Sequence, residues 1–181
     1  MKKSFNTKDM AITALLIAFG IIIPTAFGFL RVILPPAFTA TLTAHVPIFV
    51  AMFISPMSAI LTAIGTTLGF LLSGLTPVVT ARAGSHIVFA IVGAYMIKKN
   101  CSITLCGIVT AVLHALCESL VVLLFLGMNW TSGAESSIYE MAFYVTGIGT
   151  IIHHIIDYII AIILVAALSK TKAIKNLPRL F

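Results

Sequence analysis

Apolar stretches long enough to cross a lipid bilayer follow one another along almost the whole chain. A membrane-spanning helix needs about 20 mostly apolar residues, so six of them would use roughly 120 of the 181 residues and leave only short loops and tails. The composition agrees, because 9% of the residues are charged, whereas soluble domains contain about a quarter. The sequence therefore excludes a water-soluble globule, a disordered chain and a nucleic-acid binder, and it predicts one membrane domain over residues 1–181.

Prolines, glycines and polar residues divide the apolar sequence into six predicted helices. Pro24 lies inside the first helix and is expected to kink it, which membrane helices tolerate. The loop at 31–40 contains two adjacent prolines, which favour an extended backbone. Ser55 and Pro56 separate the second helix from the third, and a polar stretch at 129–140 precedes the last one. The predicted helices cover residues 9–29, 42–54, 56–72, 78–97, 102–126 and 143–168, in an all-α, six-helix bundle.

Basic residues lie close to the ends of the predicted helices and indicate how the chain crosses the membrane. With six spans, both termini and the turns after helices 2 and 4 share one side, and nine of the eleven Lys and Arg residues fall there. The loops of the opposite side contain Arg31, Glu135 and Glu140. Because Lys and Arg concentrate on the cytoplasmic side, both termini are expected to be cytoplasmic. The nine residues are Lys2, Lys3, Lys8, Lys98, Lys99, Lys170, Lys172, Lys175 and Arg179.

Ionisable side chains inside the predicted helices are the most informative residues. Each costs at least about 2.5 kcal/mol in hydrocarbon, so such groups face the bundle interior and mark functional sites. Three i,i+4 pairs place both members on one helix face, and all three lie in the outer half of the bundle. An outward-opening, water-accessible pocket explains this shared layer, and intrahelical pairs that stabilise the bundle are the alternative. The pairs are Arg82/His86, His114/Glu118 and His153/Asp157, with His45 and His154 nearby.

Arg82 is the strongest candidate for contact with a ligand. Its guanidinium stays charged and presents a planar fork of donors that matches a carboxylate; the alternative is an internal salt bridge to Glu118. Aromatic residues of the outer segments are candidates either for a pocket rim or for interfacial anchors. The candidate ligand-binding residues are Arg82, His86, Glu118, His45, His114, His154, Trp130, Asn129, Tyr139 and Tyr144.

Three segments resemble one family of membrane proteins. They are ALLIA at 14–18, TAHVPIFVAMFISP at 43–56 and RAGSH at 82–86. On these residues the chain resembles the substrate-binding S components of energy-coupling-factor vitamin transporters, and most of all the members for niacin. The resemblance implies a six-helix bundle in a bacterial plasma membrane, with a pocket in which Arg82 binds the carboxylate of nicotinate.

The resemblance also implies partner proteins. S components bind a transmembrane coupling protein through an AxxxA face, here expected at Ala11, Ala14 and Ala18, and they share two ATPase subunits. The sequence contains no GxxxxGK[ST] phosphate-binding loop, so the partners are expected to hydrolyse ATP. The chain itself is expected to bind no cofactor and no metal ion and not to be an enzyme.

Other functions are compatible with buried histidines and acids. His153 and Asp157 have the HxxxD spacing of one motif in intramembrane CAAX-type proteases, but the paired glutamates of that family and any HExxH motif are absent. Histidines and carboxylates also form proton or metal relays in transporters, although an arginine in the same layer argues against a cation site. An S component for another small vitamin or precursor is the third alternative.

Overall fold

The computed structural model describes residues 6–35, 37–130 and 137–170. Six α-helices in this part of the chain are α1 (Thr7–Ala26), α2 (Val46–Met52), α3 (Pro56–Leu72), α4 (Pro77–Lys98), α5 (Ile103–Gly127) and α6 (Gly149–Lys170). A short 3₁₀ turn follows α1, and a two-stranded hairpin of β1 (Arg31–Leu34) and β2 (Phe38–Thr41) precedes α2. The topology argument from charge rests partly on residues outside the described ranges, namely Lys2, Lys3, Glu135, Lys172, Lys175 and Arg179. Pro36, one of the two adjacent prolines of the predicted loop, also lies outside them.

The helices are those of an all-α membrane protein. Four helical stretches in the described residues are long and apolar enough to cross a membrane: α1, α4, α5 and the continuous helical segment Glu140–Lys170. A fifth apolar helix, α3, has 17 residues. The first nine residues of the last segment, Glu140–Ile148, are π-helical, so the helix begins earlier than the predicted 143.

Helices α1 and α3 lie parallel and in close contact. The hydroxyl of Thr13, near the start of α1, donates to Ser58 at the start of α3 over 2.9 Å. Further along, the backbones approach so closely that a Cβ at Gly69 would lie 2.6 Å from the Gly20 carbonyl oxygen. Because α1 and α3 run in the same direction, the chain between them has to return across the full height of α1.

The returning segment differs most from the prediction. The sequence predicts a loop at 31–40 and a helix at 42–54, whereas the structure has an antiparallel hairpin and only seven helical residues in α2. β-branched residues in both strands favour extended backbone, and Arg31 ties the hairpin together by donating to the Thr41 hydroxyl at 3.0 Å. All seven residues of α2 are buried.

Helices α4, α5 and α6 form an antiparallel group against which α2 packs. At the end away from the hairpin, the Tyr158 hydroxyl donates to the Ile103 carbonyl at 2.9 Å and joins α6 to the start of α5. Gly93 allows close contact between α4 and its neighbours, since a Cβ there would lie 2.2 Å from the Met52 methyl carbon. This group places the polar faces of its three long helices around one interior region.

The contact of α1 with α3 predicts the effect of a single added methyl group. Gly69→Ala should lower the melting temperature of the purified protein, because the new Cβ meets backbone atoms that cannot rotate away, and overpacking costs about 1–3 kcal/mol. Gly84→Ala is the matched control: its Cβ would have 3.8 Å to its nearest neighbour, and Ala is the better helix former by about 0.5–1 kcal/mol. Equal melting temperatures for the two variants would contradict the close packing.

Candidate functional site

Polar side chains from four elements converge in the interior of the bundle. His45 precedes α2, Arg82 and His86 lie on α4, His114 and Glu118 lie on α5, and α6 provides Thr150, His154 and Asp157; all eight are at most 4% exposed. His153 on α6 joins them and is 11% exposed at its side chain. The three i,i+4 pairs of the sequence are thus brought into one layer.

The Glu118 carboxylate is the centre of this cluster. Its Oε2 accepts a hydrogen bond from Arg82 Nη2 at 2.7 Å and one from the Thr150 hydroxyl. Its Oε1 lies 3.1 Å from His86 Nε2 and 3.4 Å from His114 Nε2. The internal salt bridge between Arg82 and Glu118, which was one of the two interpretations of Arg82, is present in this structure.

Arg82 is also bound by the hairpin. Its Nη1 donates to the Ala37 carbonyl at 2.7 Å, and its Nη2 lies 3.4 Å from the Thr39 carbonyl. The guanidinium lies over the ring of Phe38, 5.0 Å from the ring centre, at a distance typical of a cation–π contact. Arg82 Nε is buried and has no hydrogen-bond partner in the described residues. The guanidinium can therefore still donate one hydrogen bond to a ligand.

Asp157 holds the segment before α2 against α6. Its Oδ1 accepts from the Thr43 amide at 2.8 Å, and its Oδ2 accepts from the His45 amide at 3.0 Å and from the His45 ring at 3.1 Å. Thr43 has a φ of 69°, an uncommon conformation for a β-branched residue. The carboxylate stabilises this turn and thereby positions the His45 ring in the cluster.

A second polar chain connects α5 and α6. His114 Nδ1 lies 3.0 Å from His154 Nδ1, and His154 Nε2 lies 3.1 Å from the Thr110 hydroxyl. That hydroxyl donates to the Cys106 carbonyl at 2.7 Å. His114 and His154 are therefore supported from behind, on the side away from Arg82.

A small cavity lies beside the guanidinium. Its volume is about 10 Å³, which is at the lower limit for holding one water molecule. The site is therefore closed in this conformation, and any larger ligand needs the lining to move. The lining residues are Thr39, Thr41, His45, Phe70, Val79, Arg82, Ala83, His86, Glu118 and His153.

The structure brings some of the candidate residues together and leaves others apart. Arg82, His86, Glu118 and His45 line the cavity, and the other two histidines support it. The four candidates from the outer segments do not reach it: Trp130, Tyr139 and Tyr144 are 65%, 70% and 68% exposed, and Asn129 forms an exposed turn. Their part in ligand binding stays a prediction.

Some residues of the site were not singled out in the sequence. Thr150 contacts Glu118, and its position four residues before His154 was a usable signal, because a polar residue on the same helix face points to the same interior. The hairpin residues Ala37 and Thr39 contact Arg82 through backbone carbonyls. Backbone contacts leave no signal in residue type, so the sequence does not indicate them.

A double-mutant cycle on Arg82 and Glu118 should show strong coupling. Removing either partner leaves a buried uncompensated charge, which costs about 3–5 kcal/mol. Arg82→Ala and Glu118→Ala combined should therefore destabilise the protein by about 1–3 kcal/mol less than the sum of the single variants. Unfolding by denaturant in a fixed detergent measures this, with Arg82→Ala plus Lys98→Ala, at the opposite end of α4, as the additive control. Additivity in both cycles would contradict the ion pair.

No protein-family model and no solved structure matches the chain. The chain is similar to the niacin transporter NiaX of Lactococcus lactis subsp. cremoris (strain MG1363), with 33% identity over 175 residues, which are 93% of this chain and 78% of NiaX. The similarity confirms the resemblance to niacin-uptake proteins that rests on residues 43–56 and 82–86, and it assigns the chain to transporters rather than enzymes. The chain belongs to the family of the niacin transporter NiaX.

Proposed function

We propose that this protein is the substrate-binding S component of an energy-coupling-factor importer and that its ligand is nicotinate. The observation that supports this most is a buried guanidinium beside an internal cavity, in a chain similar to a niacin transporter. Nicotinate is a flat aromatic carboxylate, and a guanidinium fork binds a carboxylate through two parallel hydrogen bonds. In this proposal, one histidine or one hydroxyl beside the cavity hydrogen-bonds the pyridine nitrogen.

The hairpin is the part of the site that has to move for nicotinate to bind. At present the carbonyl oxygens of Ala37 and Thr39 lie where a carboxylate would accept hydrogen bonds from Arg82. Displacing the hairpin frees donors on Nη1 and Nη2, while Glu118 keeps its own hydrogen bond from Nη2. In this proposal, the hairpin closes over the ligand from the outer side of the membrane.

We propose six crossings with both termini in the cytoplasm of a bacterial cell, within one membrane domain. The parallel packing of α1 and α3 supports this count, because the hairpin and α2 between them then form the second crossing. The basic residues at the ends of α4 and α6 support the orientation, since Lys98, Lys99 and Lys170 fall on one side in this topology. The cavity then lies in the outer half of the bundle.

Transport in this proposal needs a transmembrane coupling protein and two ATPase subunits. Ala11, Ala14 and Ala18 are all exposed on α1, and small residues at this spacing let a partner helix approach closely. The sequence has no nucleotide-binding loop. The chain alone is therefore expected to bind nicotinate without pumping it.

Arg82→Ala should weaken nicotinate binding by roughly 30-fold or more. Truncating one partner of a buried, hydrogen-bonded charge pair costs about 2–5 kcal/mol, and about 1.4 kcal/mol corresponds to tenfold in affinity. Arg82→Lys should recover only part of the affinity, because an ammonium keeps the charge and lacks the fork. Titration calorimetry on protein that elutes as a single monodisperse peak measures both variants.

Nicotinamide is the matched control ligand for that experiment. It has the same ring without the negative charge, so it should bind the wild-type protein more weakly and respond less to Arg82→Ala. Comparing two ligands on one variant separates loss of the charge contact from general damage to the fold. An equal loss of affinity for both ligands would show that Arg82 is a structural ion-pair partner and does not bind the carboxylate.

Ala14→Trp should spare nicotinate binding and prevent assembly with the coupling protein. The larger side chain projects from the exposed face of α1 and blocks the approach of a partner helix, far from the polar cluster. Leu120→Trp is the matched control, since Leu120 is 56% exposed on α5 and should assemble normally. Co-purification with the tagged coupling protein measures assembly. Normal recovery of the Ala14→Trp complex would place the docking face elsewhere.

A further inference from the structure

Three buried imidazole rings form a nearly equilateral triangle inside the bundle. The ring centres of His45, His86 and His114 are separated by 4.5 Å, 4.7 Å and 4.7 Å. The rings are steeply inclined to one another, at 70°, 73° and 85°. One ring nitrogen of each histidine lies within 4.8 Å of the others. The three rings therefore bring one nitrogen each into the same small region.

The distances between donor atoms match the coordination shell of a metal ion. His45 Nε2 lies 3.4 Å from His86 Nε2, which lies 3.1 Å from Glu118 Oε1, and that oxygen lies 3.4 Å from His114 Nε2. Ligand atoms placed about 2.0–2.1 Å from a tetrahedral zinc ion are about 3.3 Å apart. Three edges between the four donor atoms therefore already have the length that a tetrahedral site requires.

Neighbouring groups fix the tautomers so that lone pairs face this point. Asp157 accepts from His45 Nδ1–H, which leaves a lone pair on His45 Nε2. The Thr110 hydroxyl donates to a carbonyl and so accepts from His154 Nε2–H. His154 Nδ1 then accepts from His114 Nδ1–H, and His114 Nε2 is left with a lone pair.

His45 Nε2, His114 Nε2 and Glu118 Oε1 are therefore three hydrogen-bond acceptors that lie close together, with too few N–H or O–H donors between them. In the described residues, His114 Nε2 is buried and has no hydrogen-bond partner, although Glu118 Oε1 is 3.4 Å away. Only His86 Nε2 can donate into the group, and its Nδ1 is also buried and unpartnered. A buried acceptor without a donor is costly, and a cation at the common point would satisfy His45 Nε2, His114 Nε2 and Glu118 Oε1.

We propose that His45, His86 and His114, each through Nε2, and Glu118, through Oε1, bind one divalent transition-metal ion such as zinc. Imidazole and carboxylate are ligands that suit this class of ion. His86 would carry its proton on Nδ1, the atom that now has no partner. This proposal departs from the sequence-based expectation of no metal, which stays a prediction, and the site is not required for the proposed binding of nicotinate.

The groups behind the ligands are those that metal sites use to orient their histidines. A ligating histidine usually donates its second N–H to a carboxylate or another acceptor, which fixes the ring. Asp157 does this for His45, and His154 does it for His114. The other oxygen of Glu118 is held by Arg82 and Thr150, so Oε1 is directed towards the ion.

The charge of the cluster also favours a cation. One guanidinium and two carboxylates, those of Glu118 and Asp157, leave one excess negative charge among these buried groups. This excess negative charge attracts a cation, and a bound divalent ion would leave a net charge of +1 among these groups. Arg82 is hydrogen-bonded to Oε2 of Glu118, so this bond leaves Oε1 available to the ion.

Metal binding can be tested on the full-length chain purified in detergent with a tag that contains no histidine. After treatment with a chelator and its removal, Co²⁺ is titrated and followed by visible absorption, and Zn²⁺ binding is counted by native mass spectrometry. We expect one ion per chain, the intense bands of tetrahedral Co²⁺ and displacement of Co²⁺ by Zn²⁺. The melting temperature should rise as either ion saturates the protein. No binding of Co²⁺, Zn²⁺ or Ni²⁺ at millimolar concentration would overturn the proposal.

Variants distinguish this site from a neighbouring group of His45, His153 and Asp157, which could also hold an ion. His114→Gln should weaken Co²⁺ binding at least as much as loss of an orienting residue does, which is about 10–100-fold. His153→Gln is the matched control and should retain the ion. The reverse result would assign the ion to the other group and overturn the proposal.

The same preparations keep this inference separate from the proposed function. Nicotinate is titrated into metal-free and Zn²⁺-loaded protein, and the eluted peak of each variant verifies that it is folded. Zn²⁺ binding without any nicotinate binding would contradict the proposed function and support the metal site. Nicotinate binding to protein that takes up no metal would support the proposed function and overturn the metal site.

Discussion

The carboxylate of Glu118 is the group on which the interior of this protein depends. A charge in the low-dielectric interior is stable only where its oxygens are hydrogen-bonded and its charge is balanced. Glu118 meets this requirement with groups from α4 and α6, namely Arg82 and Thr150 on one oxygen and His86 on the other. The hydrogen bonds to this one carboxylate therefore connect α4, α5 and α6. The remaining hydrogen bonds of Arg82 connect the hairpin to the same three helices.

The long helices were predictable because their length and composition are imposed by the bilayer. Helices at 78–97 and 102–126 were expected, and Pro77–Lys98 and Ile103–Gly127 are observed. The segment from the hairpin to α2 was not predictable, because its conformation depends on distant partners. Arg82 binds its carbonyls, and Asp157 binds the amides of Thr43 and His45. The local sequence does not indicate such distant contacts. The apolar pattern alone predicts a helix at 42–54, which is longer than the observed α2 at Val46–Met52.

The candidate site was predictable in its layer but not in its connections. Spacing of four residues on three helices identified the face and the depth of the polar groups, which the structure brings together. Apart from the Arg82–Glu118 salt bridge, which was one of two interpretations, it did not identify which group each would contact: His86 contacts Glu118 on another helix and not Arg82 on its own. The aromatic residues were candidates only because they lie in the predicted outer segments. The conformation of such segments depends on tertiary packing, which the periodicity of the sequence does not indicate. Pairing between helices depends on rotation and crossing angle, which a single helix does not specify.

The closed cavity has a consequence for how a carboxylate ligand would bind. Two neutral carbonyl oxygens of the hairpin already accept or approach the donors of Arg82, so they compete with the ligand for the same positions. A carboxylate adds an opposite charge and can accept two parallel hydrogen bonds from the guanidinium, and this gives an anion the advantage over the neutral carbonyls. The apparent affinity is lower when a smaller fraction of the molecules has the hairpin displaced. A ring without a charge lacks that advantage, so in the proposed binding mode the hairpin itself would contribute to selection of a carboxylate.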